Sequence, residues 1–212
     1  MLTVDHLTVI APTLESGIAA FEKHAGVTAT LGGKHSINGT ANALISLGER
    51  RYLELMCPDP DGPPEGSLGE QIAQVDAPVF VNYLVRCNDI DSTADQAETI
   101  GLKVDPDFTM SRNTPEGDHL EWRIGVFSGH PFGSIVPHLI DWMDSTHPAT
   151  QSVDGCRFKS LQAITPDVSE LTRIHDTLQI EVSVVAGEQH GLVAILDTPR
   201  GELILRTNEP MV

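Results

Sequence analysis

The chain has 212 residues and a formal net charge of −17, with 13 lysines and arginines against 30 aspartates and glutamates. That sign repels nucleic acid and anionic membrane surfaces, so neither is expected as a partner. With 40% apolar residues, a mean hydropathy of −0.08 and no apolar run long enough to span a bilayer, the composition is that of a soluble globular protein. No basic start followed by a cleavable apolar stretch opens the sequence, so a cytoplasmic location is expected. Cys57, Cys87 and Cys156 are odd in number and widely separated, which predicts buried free thiols.

In chain order, residues 4–10 alternate as a strand and residues 14–24 follow at helical spacing behind Thr13, whose hydroxyl can accept from the first-turn amides. Residues 27–31 read as a strand, Gly32 to Ser36 as a loop, 41–47 as a strand, and 51–56 as its return after the turn at Gly48-Glu49-Arg50. The proline and glycine cluster at 58–64 closes this unit, and 67–75 predicts a short helix. Residues 80–86 and 90–100 repeat the strand and helix behind Asp89. Then come 102–104, a polar loop at 111–118, strand 119–126, a Gly/Pro-rich loop at 128–137 and strand 138–142. A linker at 144–155 leads to a third strand and helix, 158–164 and 168–178, behind Asp167, and to strands 180–184, 192–196 and 202–206. The same strand, helix and several strands thus occur three times, over residues 1–76, 77–150 and 151–212, which predicts an α+β fold of repeated βαβββ modules.

Side chains alternate across a strand, so Leu7 and Val9 share one face with Asp5, while Val4, His6, Thr8 and Ile10 take the other. In the closing strand, Tyr52, Glu54 and Met56 oppose Leu53 and Leu55. If both strands join one curved sheet, His6 and Glu54 converge on its helix-free face. An imidazole and a carboxylate are suitable ligands for zinc, nickel, manganese or iron. The equivalent positions of the second unit are Asn82 and either His138 or Asp141.

The module resembles the vicinal oxygen chelate superfamily. The stretch from Gly33-Lys34-His35 through Ile45, Arg51-Tyr52-Leu53-Glu54-Leu55-Met56, Pro58-Asp59-Pro60, Leu120-Glu121-Trp122-Arg123, Ile140-Asp141-Trp142 and His147-Pro148 is similar to its glyoxalase-like domain branch. The resemblance implies curved mixed sheets around a cup, as in glyoxalase, bleomycin-resistance and dioxygenase proteins. It also implies metal ligands from the first and last strands of paired modules: His6 and Glu54, with His138 as a candidate to complete the set. Glu54 is then the catalytic candidate, a carboxylate able to move a proton. His35, Thr40 and Asn42 are expected at the mouth of the cup. Arg123 is expected either to hold a substrate carboxylate or phosphate by its planar fork, or to pair with Glu121 or Glu54.

There is no Gly-x-Ser-x-Gly elbow, no phosphate-cradling glycine loop before a lysine and no Gly-x-Gly-x-x-Gly, so acyl-enzyme chemistry and a nucleotide cofactor are not expected. The expected function is a metal-assisted lyase, isomerase or dioxygenase acting on a small oxygenated molecule. The alternative is a non-catalytic binding or resistance-type protein on the same fold. A homodimer through exposed strand edges is a further expectation.

Overall fold

Alternating apolar residues form β1 (Thr3–Ile10), and the Leu14/Ile18/Phe21 stripe forms α1 (Leu14–Ala25). Thr13 accepts from the Ser16 amide, the Ser16 hydroxyl accepts in return from the Thr13 amide, and Gly26 at φ 75° ends the helix. The computed structural model describes residues 1–35, 37–115 and 117–211, and every side chain among them except those of Pro106 and Asp107. After α1 come β2 (Thr30–His35), β3 (Thr40–Ser46), β4 (Tyr52–Pro58) and α2 (Leu68–Ile72). The strand β2 runs through the glycine pair expected to be a loop, of which Ser36 lies outside the described residues. The register shifts between Leu31 and Gly33, and a Cβ on Gly33 would lie 2.5 Å from the Asn113 carbonyl oxygen. These glycines serve a bulge and a close backbone approach rather than a turn.

The second unit contributes β5 (Val79–Arg86), α3 (Ile90–Glu98), β6 (Lys103–Asn113), β7 (His119–Ser128) and β8 (His138–Asp141). Asp89 caps α3 by accepting from the Ser92 amide at 2.9 Å. The expected break before residue 111 is absent: β6 is one long strand in ladder with β7, bulged between Asp105 and Phe108. Pairing with β7 satisfies the backbone of Ser111, Arg112 and Asn113, and their polar character does not end the strand.

The third unit comprises β9 (Arg157–Thr165), α4 (Val168–Leu178), β10 (Ser183–Ala186), β11 (Gly191–Thr198) and β12 (Gly201–Arg206). The Asp167 side chain makes no cap bond to α4; its own amide instead donates to Thr165 Oγ1 at 3.0 Å.

The first two units share an eight-stranded sheet, ordered β2-β3-β4-β1-β5-β8-β7-β6. The β1/β5 pairing is antiparallel, with His6 opposite Leu84 and Thr8 opposite Asn82, so a local two-fold exchanges the units. The outer strands β2 and β6 touch, which curls the sheet almost closed, and Arg112 Nη1 joins them by donating to the Gly32 carbonyl. The third unit differs. Its order is β10-β9-β11-β12, because the strand after α4 returns directly beside β9, whereas the strands after α1 and α3 go to the far edge. It is a four-strand sheet with the sequence order of the other units and a different wiring.

One apolar cluster joins α1, α3 and α4 to both sheets through Leu7, Val9, Phe21, Ile90, Leu171 and Leu196. A second lies on the concave face of the curled sheet and includes Leu44, Tyr52, Met110, Trp122, Ile140 and Trp142. All three cysteines are buried and free. Among the described residues no helix is long and apolar enough to cross a membrane.

Candidate active site

The curled sheet encloses a cavity of about 420 Å³. His6, Thr8 and Ile10 of β1 face it, as do Tyr52, Glu54 and Met56 of β4, because each set keeps the two-residue period of its strand. The alternation fails at one step. A bulge between Val4 and His6 sends Val4 into the helix-side core, the reverse of the expected division, and brings Asp5 next to the His6 ring.

Asp5 is completely buried and accepts from four side chains. His6 Nδ1 donates at 2.9 Å, His147 Nε2 at 3.0 Å, Arg86 Nε at 3.1 Å and Trp142 Nε1 at 3.3 Å. Burial alone raises a carboxyl pKa. The hydrogen bonds from His147 and His6 outweigh it and hold this one well below the usual range, so Asp5 is an anion. With Asp5 on Nδ1, His6 presents Nε2 to the cavity, its ring stacked on Tyr52 at a centroid distance of 4.4 Å.

His6 Nε2 and Glu54 Oε2 are 3.9 Å apart. Asn42 Nδ2 donates to Glu54 Oε1 at 2.7 Å, which leaves Oε2 as the oxygen toward His6. His35 lies behind: burial pushes its pKa down and favours the neutral ring, Nδ1 bonds Thr40 Oγ1 at 3.0 Å, and Nε2 faces Asn42 Nδ2 at 3.4 Å. The carboxylate is therefore oriented by a chain of neutral side chains. Thr40 is fully buried beneath His35 and does not line the cavity, whereas His35 and Asn42 do.

The β5/β8 half resolves the choice between His138 and Asp141. The local two-fold that exchanges His6 with Asn82 exchanges Glu54, opposite Thr8, with His138, opposite Leu84. Asn82 and His138 both line the cavity; Asp141 does not, and its carboxylate accepts from the Met143 amide at 2.8 Å. Burial lowers the His138 pKa, and the proximity of His6 adds to the effect. Asn82 Oδ1 is buried with no hydrogen-bond partner among the described residues.

Arg123 is corrected by its strand. On β7, Trp122 and Ile124 point into the cavity, so Arg123 points out, and its guanidinium meets Asp91 of α3 at 3.2 Å. The arginine in the cavity wall is Arg112 of β6, buried to 6% exposure. The sequence places it in a polar loop and gives no site role to Asp5 or His147. An aspartate inside an otherwise apolar strand was the available signal for Asp5.

The resemblance implies a divalent cation, and His6 Nε2 with Glu54 Oε2 supplies two donors of suitable chemistry. The expected third, His138, does not join them: among the described residues no three His, Cys, Asp or Glu side chains cluster closely enough to hold a metal ion. Two strand spacings, roughly 10 Å, separate the β8 backbone from β1. The donor set as placed does not fit a resident cation.

The family model described as a glyoxalase-like domain matches residues 4–178. No curated protein matches the sequence. Among solved structures, a hypothetical protein from Staphylococcus aureus is similar at TM-score 0.62 and 15% identity, over 97% of this chain and 85% of that one. A methylmalonyl-CoA epimerase from Mycobacterium tuberculosis aligns at TM-score 0.47 and 16% identity, over 69% of this chain and 91% of that one. One from Streptomyces coelicolor, in complex with 2-nitronate-propionyl-CoA, aligns at 0.48 and 19%, over 68% and 97%. At these identities the likeness is one of fold.

Proposed function

The chain belongs to the glyoxalase-like domain family, and on that premise we propose that it is an enzyme of the isomerase or lyase type that moves a proton on a small oxygenated organic molecule held in the cavity. The observation that carries this reading is the pair His6 Nε2 and Glu54 Oε2, 3.9 Å apart in an otherwise largely apolar wall. Two proton-active atoms at that spacing can flank one reacting group, and each is held from behind, His6 by Asp5 and Glu54 by Asn42.

In this reading Glu54 Oε2 takes a proton from carbon next to a carbonyl, and the C–H electron pair moves to the carbonyl oxygen. His6 in its protonated form donates from Nε2 to that oxygen, giving an enol. Glu54, now protonated, returns a proton to carbon while His6 Nε2 takes back the enol O–H proton, so the carbonyl re-forms and both side chains regain their starting states. Asp5 holds the His6 ring in place through the Nδ1 bond, and the apolar wall excludes water.

A chamber that binds without reacting is the second reading. The tilted rings of Tyr52, Trp122 and Trp142 favour it, since they form a ready surface for a flat apolar ligand.

The test is proton exchange followed by NMR in D₂O on a panel of small 2-oxo and 2-hydroxycarbonyl compounds. The reading expects deuterium at the carbon next to the carbonyl with the wild type and an exchange rate at least 10²-fold lower with Glu54→Gln. Saturable binding with no exchange across the panel would make this a binding protein.

A further inference from the structure

We infer that His35 is a positioning residue for Glu54: its bare Nε2 holds the Asn42 carboxamide with nitrogen toward Glu54 Oε1, so that the carboxyl carries its transferable proton on Oε2. The inference rests on the function proposed above for the role of Glu54, and adds what decides which of its two oxygens reacts.

A carboxamide donates two hydrogens from its nitrogen and none from its oxygen. Asn42 Nδ2 stands 2.7 Å from Glu54 Oε1 and 3.4 Å from His35 Nε2, while Asn42 Oδ1 has no hydrogen-bond partner among the described residues. Both hydrogens are therefore used on one side, one toward the carboxylate and one toward the imidazole. The oxygen left over is buried, packed where a Cβ on Gly32 would come within 2.1 Å of it. An unpaired buried acceptor costs free energy, and it persists here because turning the amide over is worse. Oδ1 would then face two acceptors at once, the Glu54 carboxylate and the lone pair of His35.

The lone pair is on Nε2 because the single ring hydrogen is on the other nitrogen. Burial keeps His35 neutral, and Nδ1 donates to Thr40 Oγ1 at 3.0 Å, which is itself completely buried. The same heavy atoms admit one reversed set, with hydrogen on His35 Nε2 and the amide oxygen turned inward. That set closes only if Glu54 holds a proton on Oε1, bonded to Asn42 and away from His6. Glu54 is then a neutral acid with its proton on the wrong oxygen, and Oε2, 3.9 Å from His6 Nε2, can neither take nor return one. The His35 tautomer separates the working arrangement from the idle one.

The experiment has two readouts. Long-range ¹H–¹⁵N NMR of the ligand-free protein reads the His35 tautomer: wild type is expected in the Nδ1–H form, and Asn42→Leu, which removes the donor to Nε2, to gain an Nε2–H population. Proton exchange in D₂O, on the panel compound that wild type exchanges fastest, reads the consequence. His35→Phe keeps a ring without the lone pair and is expected to lower kcat by about tenfold or more with KM within about threefold, the worth of a hydrogen bond to a charged group. His35→Gln, whose amide oxygen can accept in place of Nε2, is expected to stay within about threefold of wild type; a purely structural ring would not be rescued this way. An Nε2–H or doubly protonated ring in wild type overturns the inference, as does a tautomer indifferent to Asn42→Leu, a smaller loss in His35→Phe, or no rescue by His35→Gln. If wild type exchanges no compound of the panel, the function proposed above fails, and the two tautomer measurements alone decide whether the amide is held as described.

Discussion

The two halves of the curled sheet share a fold and a local two-fold axis, yet their equivalent wall positions carry different chemistry. The β1/β4 half presents His6 and Glu54, each backed by a hydrogen-bonding partner. The β5/β8 half presents Asn82, whose Oδ1 has no partner among the described residues, and His138, which burial keeps toward its neutral form. The backbone supplies four equivalent places, and on the proposed reading the supporting residues equip one pair of them for acid–base chemistry. A functional pair is marked less by its own side chains than by what holds them.

The largest break of that contrast is Glu54→Gln. Exchange activity should fall about 10²- to 10⁴-fold while Asn82→Ala changes it less than tenfold, both measured on protein with wild-type circular dichroism. Asp5→Ala comes next. It leaves Arg86, His6, His147 and Trp142 without their acceptor, and urea denaturation should show a loss of about 3–5 kcal/mol. Asp5→Asn, which keeps the shape, should cost less stability but still lower activity by releasing His6.

A smaller effect comes from pH. Burial, the leading cause in each case, lowers the pKa of His35, His138, His147 and His175 below 6.5. A group with a depressed native pKa takes up its proton more readily when unfolded. The stability it provides is intact above 6.5 and is lost as pH falls through the native value. Urea midpoints should therefore drop between pH 7.5 and 5.0, and His175→Phe, far from the cavity, should flatten part of that slope. An unchanged midpoint over that range would mean these rings are not neutral in the fold. The smallest expected effect is Asn82→Ala on stability, within about 1 kcal/mol, because an unpaired buried oxygen is removed along with its side chain.

How much was legible follows strand by strand. Period-two alternation in β1 and β4 placed His6 and Glu54 on one face, and the curled sheet has them there. The bulge at Asp5 could not be seen, because nothing in Val4-Asp5-His6 announces an extra residue. The same alternation applied to β7 turns Arg123 away from the cavity once Trp122 is placed inward. Arg112 was hidden for a different reason. Ser111, Arg112 and Asn113 have loop-like chemistry, and only pairing with β7 makes them a strand. His147 lies in a connection, where periodicity has no purchase. The rewired third unit shows the same limit: strand and helix order was readable, and strand adjacency was not.

The central claim is that His6 and Glu54 act as one unit. A double-mutant cycle on proton exchange, with wild type, His6→Ala, Glu54→Gln and the double variant, tests it most directly. The account predicts that the double variant is no slower than the slower single variant, since either change removes the pair. Losses that multiply, each variant lowering the rate by the same factor in either background, would contradict it.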